Sequence, residues 1–89
     1  MKPARITWSK TFVDSYRSKS KPHQRAIDRA LRMMAEDLYH PSLRTKKMQG
    51  VGDIREAHAT RGQVLTMTLS GTDVYLRVCC NHDDVYRNP

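Results

Sequence analysis

Hydrophobic positions change their period once along this chain, near Leu43: before it they recur at steps of three and four, after it they alternate. The opening ARITW, residues 4 to 8, has the β-branched and aromatic content of a short strand. Ser9 behind it can cap a helix that buries Phe12, Val13 and Tyr16 and ends near Ser20. Pro22 suits the first turn of a second helix, whose Ile27, Ala30, Leu31, Met34, Ala35 and Leu38 form one apolar stripe before Pro41 stops it. Its outward face carries Arg25, Asp28, Arg29, Arg32 and Glu36, with i, i+4 ion pairs expected from Asp28 to Arg32 and from Arg32 to Glu36. Beyond Leu43 the period of two, broken at short intervals, predicts an antiparallel meander with strands near 44–49, 54–59, 63–70 and 73–80.

In the third of these strands Leu65, Met67 and Leu69 alternate with Val64, Thr66 and Thr68; in the fourth Val74, Leu76 and Val78 alternate with Tyr75, Arg77 and Cys79. Each strand therefore has one face for the helices and one for something else. The linking SGTD is a turn by composition, and the tail after Asn81 is polar with one aromatic, Tyr86. Helices segregated before a sheet make the class α+β.

The length of 89 residues allows one domain, residues 1–89. Charge adds more: sixteen Lys and Arg against nine Asp and Glu give +7, so the expected partner is a polyanion or an acidic protein. The field sits in the front half, where residues 1 to 45 hold ten basic and four acidic side chains against six and five in the rest. No apolar run is long enough for a membrane span and none resembles a secretory signal, so the chain reads as soluble, cytoplasmic and without a membrane partner. Cys79 and Cys80 are neighbours, a spacing that suits neither a structural disulfide nor a CxxC pair; they read as small buried apolar thiols.

Serine and cysteine nucleophile signatures, phosphate-binding glycine loops and HExxH are absent. The histidines at 23, 40, 58 and 82 never adopt the short spacings of a preformed metal site, so no metal and no cofactor is expected. His23 and His40 look structural, the latter as a cation at a helix C-terminus. His58 and His82 remain, in the sheet half among Lys46, Lys47, Arg55, Arg61 and Arg77. That combination suits RNA cleavage by internal transesterification. The reaction needs a base for the 2′-hydroxyl proton, cations for the anionic phosphorane, and an acid for the departing 5′-oxygen. Histidine performs either proton transfer near neutral pH, and Arg grips phosphate with paired hydrogen bonds. Two histidines at strand ends are also a common arrangement of plain surface groups.

The run from Leu43 to Tyr86 resembles the RelE/ParE toxin superfamily of bacterial toxin–antitoxin modules, and within it the YafQ-like mRNA interferases. KKMQG is similar to the family's basic or histidine position before a leucine and glycine. IREAH is similar to its Tyr-Arg-acid-Ala-His strand, and NHDDVY to its final histidine followed four residues later by an aromatic. The resemblance implies a RelE-like fold: a short N-terminal strand, two N-terminal helices packed on one face of a mainly antiparallel sheet, a short C-terminal tail, and an active surface on the concave other face.

The same resemblance implies a toxin that enters the ribosomal A site, cuts mRNA there and is controlled by a cognate acidic antitoxin. Residue by residue, it gives His82 the role of general acid and His58 that of general base or phosphate ligand. Lys46 stands where the subgroup often has a further histidine; it can stabilise charge but is a poor base at pH 7. Lys47, Arg61 and Arg77 bind phosphate, and the Tyr86 ring is placed to stack on a base. Two departures stand out. Gly62 and Gln63 occupy positions where the subgroup has an acid and an aromatic, with Arg61 beside them as the candidate to compensate, and Asp83 is a candidate carboxylate for orienting His82. Two rivals remain open on sequence: a ParE-like protein that blocks DNA gyrase by binding, and a basic ribosome- or RNA-binding module without catalysis.

Overall fold

In the computed structural model every residue except Val51, Tyr86 and Asn88 is described, so the expectation placed on Tyr86 lies outside the described residues. The elements run β1 (Arg5–Trp8), α1 (Lys10–Arg17), α2 (Lys21–Glu36), a 3-10 turn (Pro41–Leu43), β2 (Lys46–Lys47), β3 (Arg55–His58), β4 (Gln63–Ser70) and β5 (Asp73–Asn81). The five strands form one sheet in the order β1-β5-β4-β3-β2. β2 to β5 pair antiparallel as a meander, and β1 joins the edge of β5 in parallel. The result is the expected α+β arrangement, with a sheet that is mixed because β1 runs parallel to β5 while the other pairs are antiparallel. No helix among the described residues is long and apolar enough to cross a membrane.

Ser9 shows how local chemistry fixes the first helix. Its Oγ accepts from the Phe12 backbone N–H at 3.0 Å, satisfying one of the orphan donors of the first turn, and donates to the Arg77 carbonyl at 3.0 Å. One hydroxyl thus caps α1 and ties it to β5. Ser9→Ala is expected to lower stability by about 1–2 kcal/mol, read as a drop in the urea midpoint with an unchanged slope; an unaltered midpoint would mean that the cap contributes nothing.

The main core lies between the helices and the sheet. Phe12 of α1 and Ile27, Ala30 and Met34 of α2 pack with Leu38, Leu43, Ala57, Leu65, Met67, Val74, Leu76 and Cys79. The stripe of α2 departs from expectation at one place: Ala35 is exposed and Ala26 is buried instead, which rolls the buried face toward the helix N-terminus. The helix also stops at Glu36, before Leu38. On the outward face, Asp28 accepts from the Tyr16 hydroxyl at 2.8 Å, tying α2 to α1.

β5 corrects a second expectation. Thr66 faces Val78 but Met67 faces Leu76, so Arg77 is an extra residue, a β-bulge. Alternation restarts after it: Cys79 turns into the main core beside Val74 and Leu76, and Val78 moves to the opposite face with Thr66. The Cys79 backbone N–H donates to Ser15 Oγ at 3.1 Å, which anchors α1 just past the bulge. Burial pushes both cysteine thiols up; Cys79 packs in the main core and the half-buried Cys80 against a second cluster. The face away from the helices is not bare: Met48, Val64 and Val85 form a second buried cluster with Ile54 and Cys80 against it. That cluster seats the segment that follows His82.

Candidate active site

β3 carries the two positions that matter most. Its residues alternate between faces: Ala57 enters the helix-side core, while Glu56 and His58 point to the other side. β2 lies alongside with Lys46 opposite Glu56. The Glu56 carboxylate is 1% exposed and sits between an ammonium and an imidazole, with Oε1 at 3.6 Å from Lys46 Nζ and Oε2 at 4.0 Å from His58 Nε2. Glu56 was visible in sequence only as part of the strand motif; its spacing of two from His58, which puts both side chains on one face, is the signal that singles it out.

His82 arrives from the end of β5. Its backbone N–H donates to the Gly62 carbonyl at 2.9 Å, and Gln63 Nε2 donates to Asn81 Oδ1 at 2.7 Å. Gly62 and Gln63, the departures from the YafQ-like pattern, thus clamp the segment carrying His82 to the start of β4. The outcome is a pair of imidazoles from separate strands with centroids 6.2 Å apart and planes inclined by 33°. His82 is half-exposed and His58 mostly covered. Asp83, itself fully exposed, places Oδ1 at 3.9 Å from His82 Nδ1.

Burial lowers the His58 pKa below the usual 6.5, and the charges of His82, Arg44 and Lys46 push the same way; the Glu56 carboxylate opposes them without overcoming them. At neutral pH His58 is therefore the uncharged imidazole, with a lone pair to offer.

The other predicted residues divide. Arg61, exposed in the β3–β4 turn, lines a hollow with His58. Lys47 Nζ is 4.0 Å from Asp53 Oδ1. Arg77, on the bulge, lies two to three residues along the sheet from the level of Cys80 and His58, about 7 to 10 Å at ~3.3 Å per residue. Its Nε donates at 3.1 Å to the Pro89 carbonyl, which also accepts from Thr66 Oγ1 at 2.7 Å. His40 lies beyond the end of α2 at Glu36, and its Nδ1 accepts from the Ser42 backbone N–H at 3.1 Å and caps the 3-10 turn. Among the described residues no group of three or more His, Cys, Asp or Glu is placed to hold a metal.

No protein-family model matches the sequence, and no curated protein is similar to it at the level of sequence. Solved structures do match. The crystal structure of YafQ from E. coli strain BL21(DE3) superposes with a TM-score of 0.75 at 13% identity, covering 91% of this chain and 96% of that one. The E. coli DinJ-YafQ toxin-antitoxin complex gives 0.71 at 15% identity over 97% and 99%. The RelB-RelE antitoxin-toxin complex from Methanococcus jannaschii gives 0.72 at 14% identity over 91% and 95%. The fold of this chain is thus the RelE-like fold shared by these toxins.

Proposed function

We propose that this chain is the toxin of a type II toxin–antitoxin system, a RelE/ParE superfamily member similar to YafQ, and that it cuts mRNA in the ribosomal A site by internal transesterification. One juxtaposition supports the reading most: two histidines far apart in sequence stand 6.2 Å apart on the sheet face away from the helices, one of them held neutral beside a buried carboxylate. Binding a topoisomerase asks for no proton-transfer groups, so this arrangement favours cleavage over gyrase inhibition.

In the proposed reaction His58 takes the proton of the 2′-hydroxyl. Glu56 faces Nε2 and so favours the tautomer protonated there, leaving Nδ1 as the base. The 2′-oxygen then bonds to phosphorus while the 5′-oxygen departs, receiving its proton from His82. The products are a 2′,3′-cyclic phosphate and a free 5′-hydroxyl. Lys46 stabilises the phosphorane, and Arg61, Lys47 and Arg77 hold neighbouring phosphates, Arg77 exchanging its Pro89 contact for RNA. Tyr86 stacks on a base of the codon. No proton transfer in this scheme calls on a metal held by the protein. The charge of +7 fits a cognate acidic antitoxin as the controlling partner, with the ribosome as the target in the cytoplasm.

Primer extension on a defined mRNA, with and without programmed 70S ribosomes, tests the proposal. New 5′ ends that depend on the ribosome and fall in reading-frame register are expected; no ends in either tube would overturn it in favour of a non-cleaving binder.

The pH profile follows from the same geometry. A base whose pKa is lowered stays deprotonated as pH falls through 6.5, so cleavage should hold its rate there and decline only at lower pH. Glu56→Gln removes the charge that opposes the lowering; its acid limb should move to still lower pH while the plateau slows. A limb that moves upward in this variant would take the base role from His58.

A further inference from the structure

Beside His58 the 3-10 turn and the β3–β4 turn enclose a hollow of about 160 Å³ lined by Ser42, Arg44, His58, Ala59, Thr60 and Arg61. We infer that this hollow is a second phosphate subsite, in which Arg44 and Arg61 hold the phosphodiester that flanks the scissile one, with Ser42 and Thr60 contributing hydroxyls. The inference rests on the reading of the chain as an RNA-cleaving protein and adds a ligand-binding residue, Arg44, to it.

Three observations carry it. The first is backbone strain. Arg44, at φ 50° and ψ 42°, is the one non-glycine residue at positive φ among the described residues. L-residues avoid this region, and a long side chain held there marks a position worth a functional hypothesis. The surroundings impose it: Leu43, just before, is fully buried, Ser42 is bound by His40 Nδ1, and the Thr45 hydroxyl, just after, donates to the Leu38 carbonyl at 2.7 Å. The second is charge. Neither Arg44 nor Arg61 is paired with a carboxylate among the described residues, so two guanidinium groups share one hollow without a counter-ion. The guanidinium fork of Arg matches the oxygens of a phosphodiester with paired hydrogen bonds. The third is lining. The hollow has room for a tetrahedral oxyanion, and the Thr60 hydroxyl, which accepts from the Gly62 and Gln63 N–H groups at 3.2 and 3.1 Å, keeps its proton to donate. The hollow adjoins His58, as a subsite for a phosphate flanking the reacting one requires, and Arg44 is close enough for its charge to act on that imidazole.

Arg44→Gly is the decisive variant, because glycine takes the same backbone conformation without strain. Its thermal midpoint should equal or exceed that of the wild type, so a lost function cannot be blamed on the fold. Inorganic phosphate, titrated into the wild type and followed by NMR, should shift the backbone amides of Ser42, Arg44, Thr60 and Arg61, and Arg44→Gly should weaken that response by about 10-fold. On programmed ribosomes the variant should need about 10-fold more protein for half-maximal cleavage, with the saturated rate nearly unchanged. Arg25→Ala, which removes a surface cation from α2, should alter neither. A stable Arg44→Gly protein with wild-type phosphate response and wild-type half-saturation would overturn the subsite while leaving cleavage by the histidine pair intact. Phosphate shifts in a protein that cuts nothing would retain the anion site but remove its assignment to a cleaved RNA.

Discussion

Replacing His82 with alanine is expected to lower ribosome-dependent cleavage by about 10²–10⁴-fold, the range a positioned general acid contributes. The side chain is half-exposed, and its segment is held by main-chain and neighbouring contacts, the His82 N–H to the Gly62 carbonyl and the Gln63 side chain to Asn81. None of these needs the imidazole, so the thermal midpoint should stay within about 0.5 kcal/mol of the wild type, as for ordinary surface substitutions. An RNA whose scissile 5′-oxygen is replaced by sulfur separates the roles of the pair. The thiolate leaves without a proton, so His82→Ala should cut this substrate at close to the wild-type rate, whereas His58→Ala should remain slow because the 2′-hydroxyl still needs a base. Rescue of His58→Ala instead would exchange the two assignments, and rescue of neither would deny His82 the acid role.

How much of this could be read from the chain alone depends on the range of the interactions involved. β4 was legible at both ends, since QVLTMTLS alternates cleanly and is bounded by Gly62 and by the turn glycine Gly71, which sits at φ 61° in the two-residue link to β5. The expected strand over 44–49 shrank to Lys46–Lys47 because Arg44 adopts the left-handed region and Thr45 bonds back to Leu38, contacts that no local pattern announces. The bulge at Arg77 is invisible for the same reason. In YLRVCC an unbroken period of two would put Leu76, Val78 and Cys80 on the core face, and only pairing with β4, together with the Ser15–Cys79 contact, gives that place to Cys79 instead.

The site follows the same rule. His58 and Glu56 share a strand, so their common face follows from the period of two, and Lys46 follows once β2 is set against β3. The approach of His82 to His58 depends on where β5 ends relative to β4, which sequence alone suggests only through family resemblance. Arg77 was read as one more phosphate ligand of the same cluster, yet the bulge sets it further along the sheet against Pro89. Among the candidate phosphate ligands, Lys46, Arg44 and Arg61 thus stand around His58, while Lys47 pairs with Asp53 and Arg77 lies apart.

Phe12→Ala is expected to destabilise the protein by about 3–5 kcal/mol, the range for deleting a fully buried aromatic. Phe12 is wholly inaccessible and is the only buried residue of α1; Trp8 meets it edge-on at 4.9 Å. Removing the ring leaves α1 with the Ser9 cap and the Ser15 contact to Cys79 as its main ties to β5. A domain of this size has a total stability of only about 5–15 kcal/mol, so the variant should be partly unfolded near 37 °C and show a broad loss of amide protection in β1 and β5. Cleavage should fall in proportion to the folded fraction and recover on cooling. That temperature dependence distinguishes it from His82→Ala, whose defect should persist at every temperature. If Phe12→Ala melts within about 1 kcal/mol of the wild type, the helices contribute far less to the sheet than their burial implies, and the positioning of His82 by β5 must rest on the second cluster around Val64 and Val85 instead.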